Sequence, residues 1–448
     1  MNMKQLMTKW ADNINEKNVL GEYPRPLMRR KSYVNLNGIW KYAIRETKGF
    51  PKKMDGDILV PFSPEAVLSG VNRQLKPEEY LWYKRRLPDE VKPEKGSRWI
   101  LHFGAVDQCA VVYINGKKQG KHVGGYLPFS YDITEALKEE KNLLTVKVRD
   151  YSETCYYSRG KQKLKNGGMF YTAQSGIWQT VWIEKVPECY IGHLKITPLY
   201  DQSSIMIQME EEHGIKDIDY EVTITARKMW PVKASGKTGK PCVIMIPHMR
   251  SWSPEDPFLY DLHVRMGEDS VESYFAMRKV EVKNDKEGIP RIFLNNEPYF
   301  EKGVLDQGYW PDGLYTPPCD EAMIYDIQKM KDLGFNMIRK HIKIEPQRWY
   351  YHCDRIGMLV WQDMPSGDMG NQWAPHTYNG GTDKERTEES IRNYYKEWKE
   401  IMDLCVSNPS VVVWVPFNEA WGQFDTEKAA EWTKTYDPSR LVNPASGG

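Results

Sequence analysis

The chain has 448 residues, a formal net charge of +1 and 40% hydrophobic residues. That length suits roughly two to four domains with ordinary packed cores and excludes a chain that is disordered overall. The balanced charge gives no support for nucleic acid or a membrane surface as partner, and no apolar run is long enough to span a bilayer.

Met1 to Leu20 is polar and charged and lacks an apolar signal core, so the chain as written reads as cytoplasmic, or periplasmic or secreted if a signal was removed. Residues 1–185 read as all-β. Leu144, Val146 and Val148 alternate with Thr145, Lys147 and Arg149, the period of a half-buried strand. Val111 to Ile114 followed by Asn115-Gly116 reads as a strand entering a tight turn. Many short strands without helical periods argue for a sandwich. Val186-Pro187-Glu188 reads as a linker into a second β unit over 186–283. There Tyr220, Val222, Ile224 and Ala226 alternate with polar residues, as do Tyr260, Leu262 and Val264. About a hundred residues of this kind suit an immunoglobulin-like sandwich.

The period changes over 284–448. Tyr299 to Leu305 reads as a first strand. Asp320 is expected to cap a helix that carries Met323, Ile324, Ile327 and Met330, with Gly334 as its stop. Phe335 to His341 and Met358 to Asp363 read as strands, with Pro346 to Ile356 helical between them. A long helix places Ile391, Tyr394, Tyr395, Trp398, Ile401, Met402 and Cys405 on one stripe. The apolar run Val411 to Val415 reads as a strand buried on both faces. A helix from about Thr426 and a strand around Leu441 to Ala445 follow. Such alternation means parallel strands with right-handed crossovers. An α/β barrel places its chemistry at the C-terminal strand ends, which marks Asn418 and Glu419. Five strands are expected where a closed barrel has eight, so either the fold is something smaller or the sequence is a fragment.

Seven cysteines are scattered singly, which is neither a disulfide framework nor a metal-knuckle pattern. Aromatics are plentiful, with 16 Trp and 27 Tyr; such rings serve sugar sites as platforms and sandwich cores as filler.

Several motifs in order resemble glycoside hydrolase family 2, the family of β-galactosidases, β-glucuronidases and β-mannosidases. They are Leu36-Asn37-Gly38-Ile39-Trp40, Gly124-Gly125-Tyr126-Leu127-Pro128-Phe129, Ser175-Gly176-Ile177-Trp178, the stretch Trp252 to Tyr260, Gly334-Phe335-Asn336-Met337-Ile338-Arg339, and Phe417-Asn418-Glu419. The resemblance implies a jelly-roll-like sugar-binding sandwich, an immunoglobulin-like sandwich and the first five strands of a (β/α)8 TIM barrel. It further implies a retaining exo-β-glycosidase with two catalytic carboxylates.

By that resemblance Glu419 is the general acid/base and Asn418 holds a sugar hydroxyl. Asp306 and Gln307 end the first barrel strand, where the family places sugar contacts. Arg339 and His341 end the second and point the same way by strand period. Asp363 ends the third as a hydroxyl acceptor, and Trp421 is either a platform or packing. Relatives carry an aspartate a few residues before Ser-Gly-Ile; this chain has Phe170-Tyr171 there, with Arg159 and Gln162 near enough in sequence to substitute. After Glu419 only Glu427 and Glu431 follow, both in the helical stretch, so the nucleophile is expected beyond Gly448 and the chain alone is expected to be inactive. β-Galactosides are the expected substrates, with β-glucuronides and β-mannosides as alternatives and a non-catalytic carbohydrate-binding protein as a reading from another class. No cofactor is expected, although some relatives bind a divalent cation at a carboxylate placed like Asp363. The expected partner is a carbohydrate substrate, with self-association into a homo-oligomer left open.

Overall fold

The computed structural model describes residues 6–369 and 383–446. The first unit packs a six-stranded antiparallel sheet on a four-stranded one. Its core follows from alternation, which sends every second side chain between the sheets. In the strand Leu143–Arg149, Leu144, Val146 and Val148 are fully buried and share a cluster with Trp40, Tyr83, Leu101 and Phe103. Asn115 and Gly116, at φ 52° and 81°, close the hairpin between Cys109–Ile114 and Lys117–Val123, the conformation that an Asn-Gly pair adopts without strain.

The second unit pairs a three-stranded with a four-stranded antiparallel sheet, and Tyr220, Val222 and Ile224 of Asp219–Thr225 face its core. The expected linker at Val186-Pro187 is instead strand: Val181–Pro187 pairs along its whole length with Ser97–Phe103, and the break falls at 188–190. A three-stranded antiparallel sheet (Val280–Asn284, Pro290–Leu294, Glu297–Pro298) leads into the third unit.

That unit holds five parallel strands side by side in chain order: β1 (Gly303–Asp306), β2 (Met337–Lys340), β3 (Leu359–Asp363), β4 (Val411–Val415) and β5 (Leu441–Val442). Between them run α1 (Asp320–Asp332), α2 (Gln347–Ile356), α3 (Glu388–Cys405) and α4 (Thr426–Tyr436). The molecule is thus two β-sandwiches followed by five strands of a (β/α)8 barrel. The first and fifth strands differ most from expectation. β1 starts at Gly303 rather than Tyr299. The fifth strand is split, because Ala445–Ser446 leaves β4 and pairs with Phe417–Asn418 instead. Asp320 does not cap α1. It is the first helical residue, after Cys319, and its carboxylate is taken by Arg348 (2.6 and 2.7 Å) and by His352 Nε2 (3.0 Å).

All five residues of β4 are buried. Val411 and Trp414 pack with the helices, and Val412, Val413 and Val415 pack with Leu359 and with Trp252 of the second sandwich. The Trp414 indole N–H donates to Asp437 (2.8 Å) and its ring meets Trp398 edge-on. Two guanidiniums grip the start of the strand. Arg278 donates to the carbonyls of Pro409 (3.0 Å) and Val411 (2.8 Å), and Arg440 to those of Val411 (2.8 Å), Val406 (2.7 Å) and Asn408 (3.0 Å). The Val406 contact closes the C-terminal end of α3, where helix carbonyls lack intrahelical partners. Asp354 of α2 is fully buried beside them. Its carboxylate accepts from Tyr274 (2.7 Å), Asn408 (2.7 Å) and the Ser410 N–H (2.8 Å), and its carbonyl accepts from the Trp252 indole (2.7 Å).

Candidate active site

The C-terminal ends of β2, β3 and β4 meet around one guanidinium. Arg339 donates to Asp363 through two parallel bonds, Nε to Oδ1 at 2.9 Å and Nη2 to Oδ2 at 2.7 Å. It also reaches Asn418 Oδ1 at 3.1 Å and the Ser446 hydroxyl. His341 Nδ1 lies 3.2 Å from Asp363 Oδ2, and the Ile342 N–H donates to the same oxygen at 3.3 Å. The shared direction expected of Arg339 and His341 therefore appears as convergence on one carboxylate. With Nδ1 donating to Asp363, the tautomer that this network assigns, Nε2 carries a lone pair; it is buried and has no partner among the described residues. Burial lowers the His341 pKa, with Asp363 opposing, so the ring is held toward its neutral form.

Asp363 is fully buried and each of its oxygens is occupied. It is therefore an anchor for Arg339 and His341 rather than the free hydroxyl acceptor expected from its strand-end position. A divalent cation does not fit there either, since a bidentate guanidinium already covers the carboxylate. Among the described residues no three His, Cys, Asp or Glu side chains are grouped to hold a metal ion.

Asn418 is buried, with its Oδ1 toward Arg339 and its Nδ2 donating to the Glu419 carbonyl (3.2 Å). Glu419 follows, half-buried, and its carboxylate makes no hydrogen bond or ion pair among the described residues. The chain then turns sharply. Ala420 takes φ 58° and the Trp421 N–H returns to the Asn418 carbonyl (3.1 Å). Trp421 itself is packing: it is 4% exposed, with Phe170 on one side (5.8 Å between ring centroids) and the Arg159 guanidinium 5.1 Å from its ring.

Asp306 stands apart from this group. The register sets Leu305 beside Arg339 and Asp306 beside Lys340, so Asp306 lies on the opposite face of the sheet from Arg339. Lys340 donates to it at 2.7 Å and to Glu345 at 2.8 Å; burial would raise the Asp306 pKa, but the Lys340 ammonium holds it below its ordinary value. Gln307 is half-buried and makes no hydrogen bond among the described residues.

One wall of the site comes from the first sandwich. Its 156–172 loop lies against the barrel mouth, with Tyr171 stacked on Tyr309 (3.7 Å between centroids) and Arg159 donating to the Asp368 carbonyl (2.9 Å). Gln162 does not replace the aspartate of relatives, for its amide is spent inside the loop on the Arg159 carbonyl (2.9 Å) and the Gln174 N–H (2.7 Å). Lys161, between them, was not singled out from the sequence, yet its charge acts on Glu419, Arg339 and Asp363. Nothing local in the sequence signals this, because the interaction joins the first sandwich to the barrel, with the whole second unit between them in sequence.

Three family models match the chain in order: "Glycosyl hydrolases family 2, sugar binding domain" over residues 70–187, "Glycosyl hydrolases family 2" over 189–278, and "Glycosyl hydrolases family 2, TIM barrel domain" over 319–447. A putative beta-glucuronidase of Formosa agariphila is 24% identical over 437 residues, covering 92% of this chain and 49% of that protein. A beta-galactosidase of Thermoanaerobacter pseudethanolicus is also 24% identical, covering 89% and 53%. The solved beta-D-glucuronidase of Dictyoglomus thermophilum superposes with a TM-score of 0.74 at 21% identity, covering 94% of this chain and 73% of that one. The likeness in structure concerns the fold. The chain spans about half the length of these two curated relatives.

Proposed function

The chain belongs to glycoside hydrolase family 2, and on that basis we propose that it carries the acid/base half of a retaining exo-β-glycosidase acting on terminal β-linked sugars. The carrying observation is Glu419, its carboxylate unpaired among the described residues, next to Asn418 at the end of a fully buried strand and beside the Arg339–Asp363 pair. In this reading the Glu419 carboxyl protonates the departing glycosidic oxygen while a second carboxylate attacks the anomeric carbon. The Glu419 carboxylate then takes a proton from the water that releases the sugar. In this reading Asn418, fixed by Arg339, exchanges hydrogen bonds with a sugar hydroxyl, and His341 accepts one through its Nε2 lone pair. Glu427 and Glu431 are exposed on α4, which supports a nucleophile supplied from outside these 448 residues. The sugar is read as galactose or glucuronic acid, substrates that recur in the names of the similar proteins.

A panel of aryl β-glycosides, offered to the 448-residue chain and to the full product of its reading frame, tests the reading; no cleavage by either would defeat it. Full activity in the 448-residue chain would remove the case for an outside nucleophile. Glu419→Gln should lower kcat/KM by about 10²–10⁴-fold on substrates with poor leaving groups, and far less on activated ones, because activated groups depart without a proton. Equal loss on both classes would count against the acid role.

A further inference from the structure

Lys161 carries a charge that the proposed chemistry leaves unused. Its backbone is braced against the barrel. Gly160, at φ 59°, lies so close that a Cβ there would sit 2.6 Å from the Tyr315 hydroxyl and 2.8 Å from the Ile342 carbonyl, an approach open only to glycine. The Arg159 N–H donates to the Ser366 carbonyl (3.1 Å), and the Lys161 carbonyl accepts from the Tyr171 N–H (2.9 Å). Gln162–Lys163 continues the brace by pairing in parallel with Tyr171–Thr172. Ile342 follows His341 at the end of β2, and Ser366 follows Asp363 closely at the end of β3. Lys161 is therefore delivered to the rim where the site residues gather.

The side chain is half-buried, and among the described residues its ammonium has no hydrogen bond and no ion pair. Its charge interacts at longer range with Glu419, Arg339 and Asp363. Of these, Asp363 is already committed to Arg339. A partly desolvated cation without a counter-ion is unfavourable, and a lysine held in place gives up side-chain entropy as well. An anion arriving with a ligand would offset both.

We propose that Lys161 is a specificity-determining residue whose ammonium pairs with an anionic substituent, a carboxylate or a sulfate ester, on the sugar held beside Glu419. This rests on the glycosidase reading and narrows it to acidic sugars.

The test compares wild type, Lys161→Met and Lys161→Arg in the full product on 4-nitrophenyl β-glucuronide, 4-nitrophenyl β-galactoside 6-sulfate and 4-nitrophenyl β-galactoside. Lys161→Met should lower the acidic-to-neutral ratio of kcat/KM by about tenfold or more, while Lys161→Arg keeps it within about threefold. The uronide and sulfate arms identify the anion. An unchanged ratio, with neutral and acidic substrates losing equally, would assign Lys161 to the charge balance of Glu419 and overturn the proposal. A wild type that cleaves only the neutral glycoside would overturn it too. If no glycoside is cleaved, the glycosidase reading fails. Lys161 is then judged by NMR-detected binding of glucuronate and galactose 6-sulfate against galactose. Binding of an acidic sugar that Lys161→Met abolishes supports the proposal, and any other pattern overturns it.

Discussion

Asp363→Ala removes the anion to which Arg339 and His341 are both attached. The Asp363 side chain is 0% exposed and that of Arg339 15%, so the pair is buried, and its bonds of 2.9 and 2.7 Å have the bidentate geometry of a strong pair. Removing one partner of such a pair costs about 3–5 kcal/mol, since the remaining charge stays desolvated and unpaired. Asn418 shares the loss, because its orientation depends on the same guanidinium. Because a chain of three units does not unfold in one step, the assay is local: amide hydrogen exchange of peptides from β2 and β3. Protection there should fall by roughly two to three and a half powers of ten, with peptides of the first sandwich core unchanged. The double variant Arg339→Met/Asp363→Leu should regain most of the loss, since it removes both charges from the interior. A loss below about 1 kcal/mol in Asp363→Ala, or a double variant no better than the sum of the single ones, would refute the claim that this pair organises the rim.

Other outcomes follow from the interior. Burial raises the pKa of Glu65 to about 8, Glu397 to about 7 and Asp150 to about 6. The folded chain then holds protons that the unfolded chain releases near pH 4, so this stabilisation is complete below about pH 4 and lost as the pH climbs through about 6 to 8. The thermal midpoint should fall between about pH 5 and 8, and Glu397→Gln should flatten that fall up to about pH 7 while leaving the part above it, which belongs to Glu65; a wild-type profile that rises over this window contradicts the assignment. Trp252→Phe deletes the indole bond to the Asp354 carbonyl across the joint between second sandwich and barrel. It should cost about 1–3 kcal/mol, read as roughly one to two powers of ten less amide-exchange protection in peptides of α2, and unchanged protection there would show that the bond adds nothing.

The parts of the fold that the sequence reveals are those where one local pattern decides. Val411 to Val415 is apolar throughout because both faces of β4 are covered, and the stripe from Ile391 to Cys405 marks α3 because one helix face meets the core. Asn115-Gly116 announces its hairpin through backbone geometry alone. Asp320 misleads because an aspartate before an apolar period is an ordinary cap, whereas here a distant Arg348 and His352 claim its carboxylate. Asp306 and Arg339 both read as strand-end site residues. Only the register between β1 and β2 places them on opposite faces, and register is a property of the pair. The same applies with more force to Lys161. It lies in a loop of the first sandwich, and its place at the barrel mouth exists only once that sandwich has docked on the barrel.

Arg278 and Arg440 hold the entry of β4, and the consequence is one of metrology. A slip of β4 by a single residue would carry Glu419 along the strand by about 3.3 Å and turn its side chain to the other face. Reacting groups tolerate a misplacement of only about 0.5 Å. The carbonyls of Pro409 and Val411 are thus a zero mark against which the reach of Glu419 is set. One of the two guanidiniums that fix this mark is Arg278, which enters from beyond the barrel. The second sandwich touches no sugar in this scheme, yet it works as the datum for the residue that would.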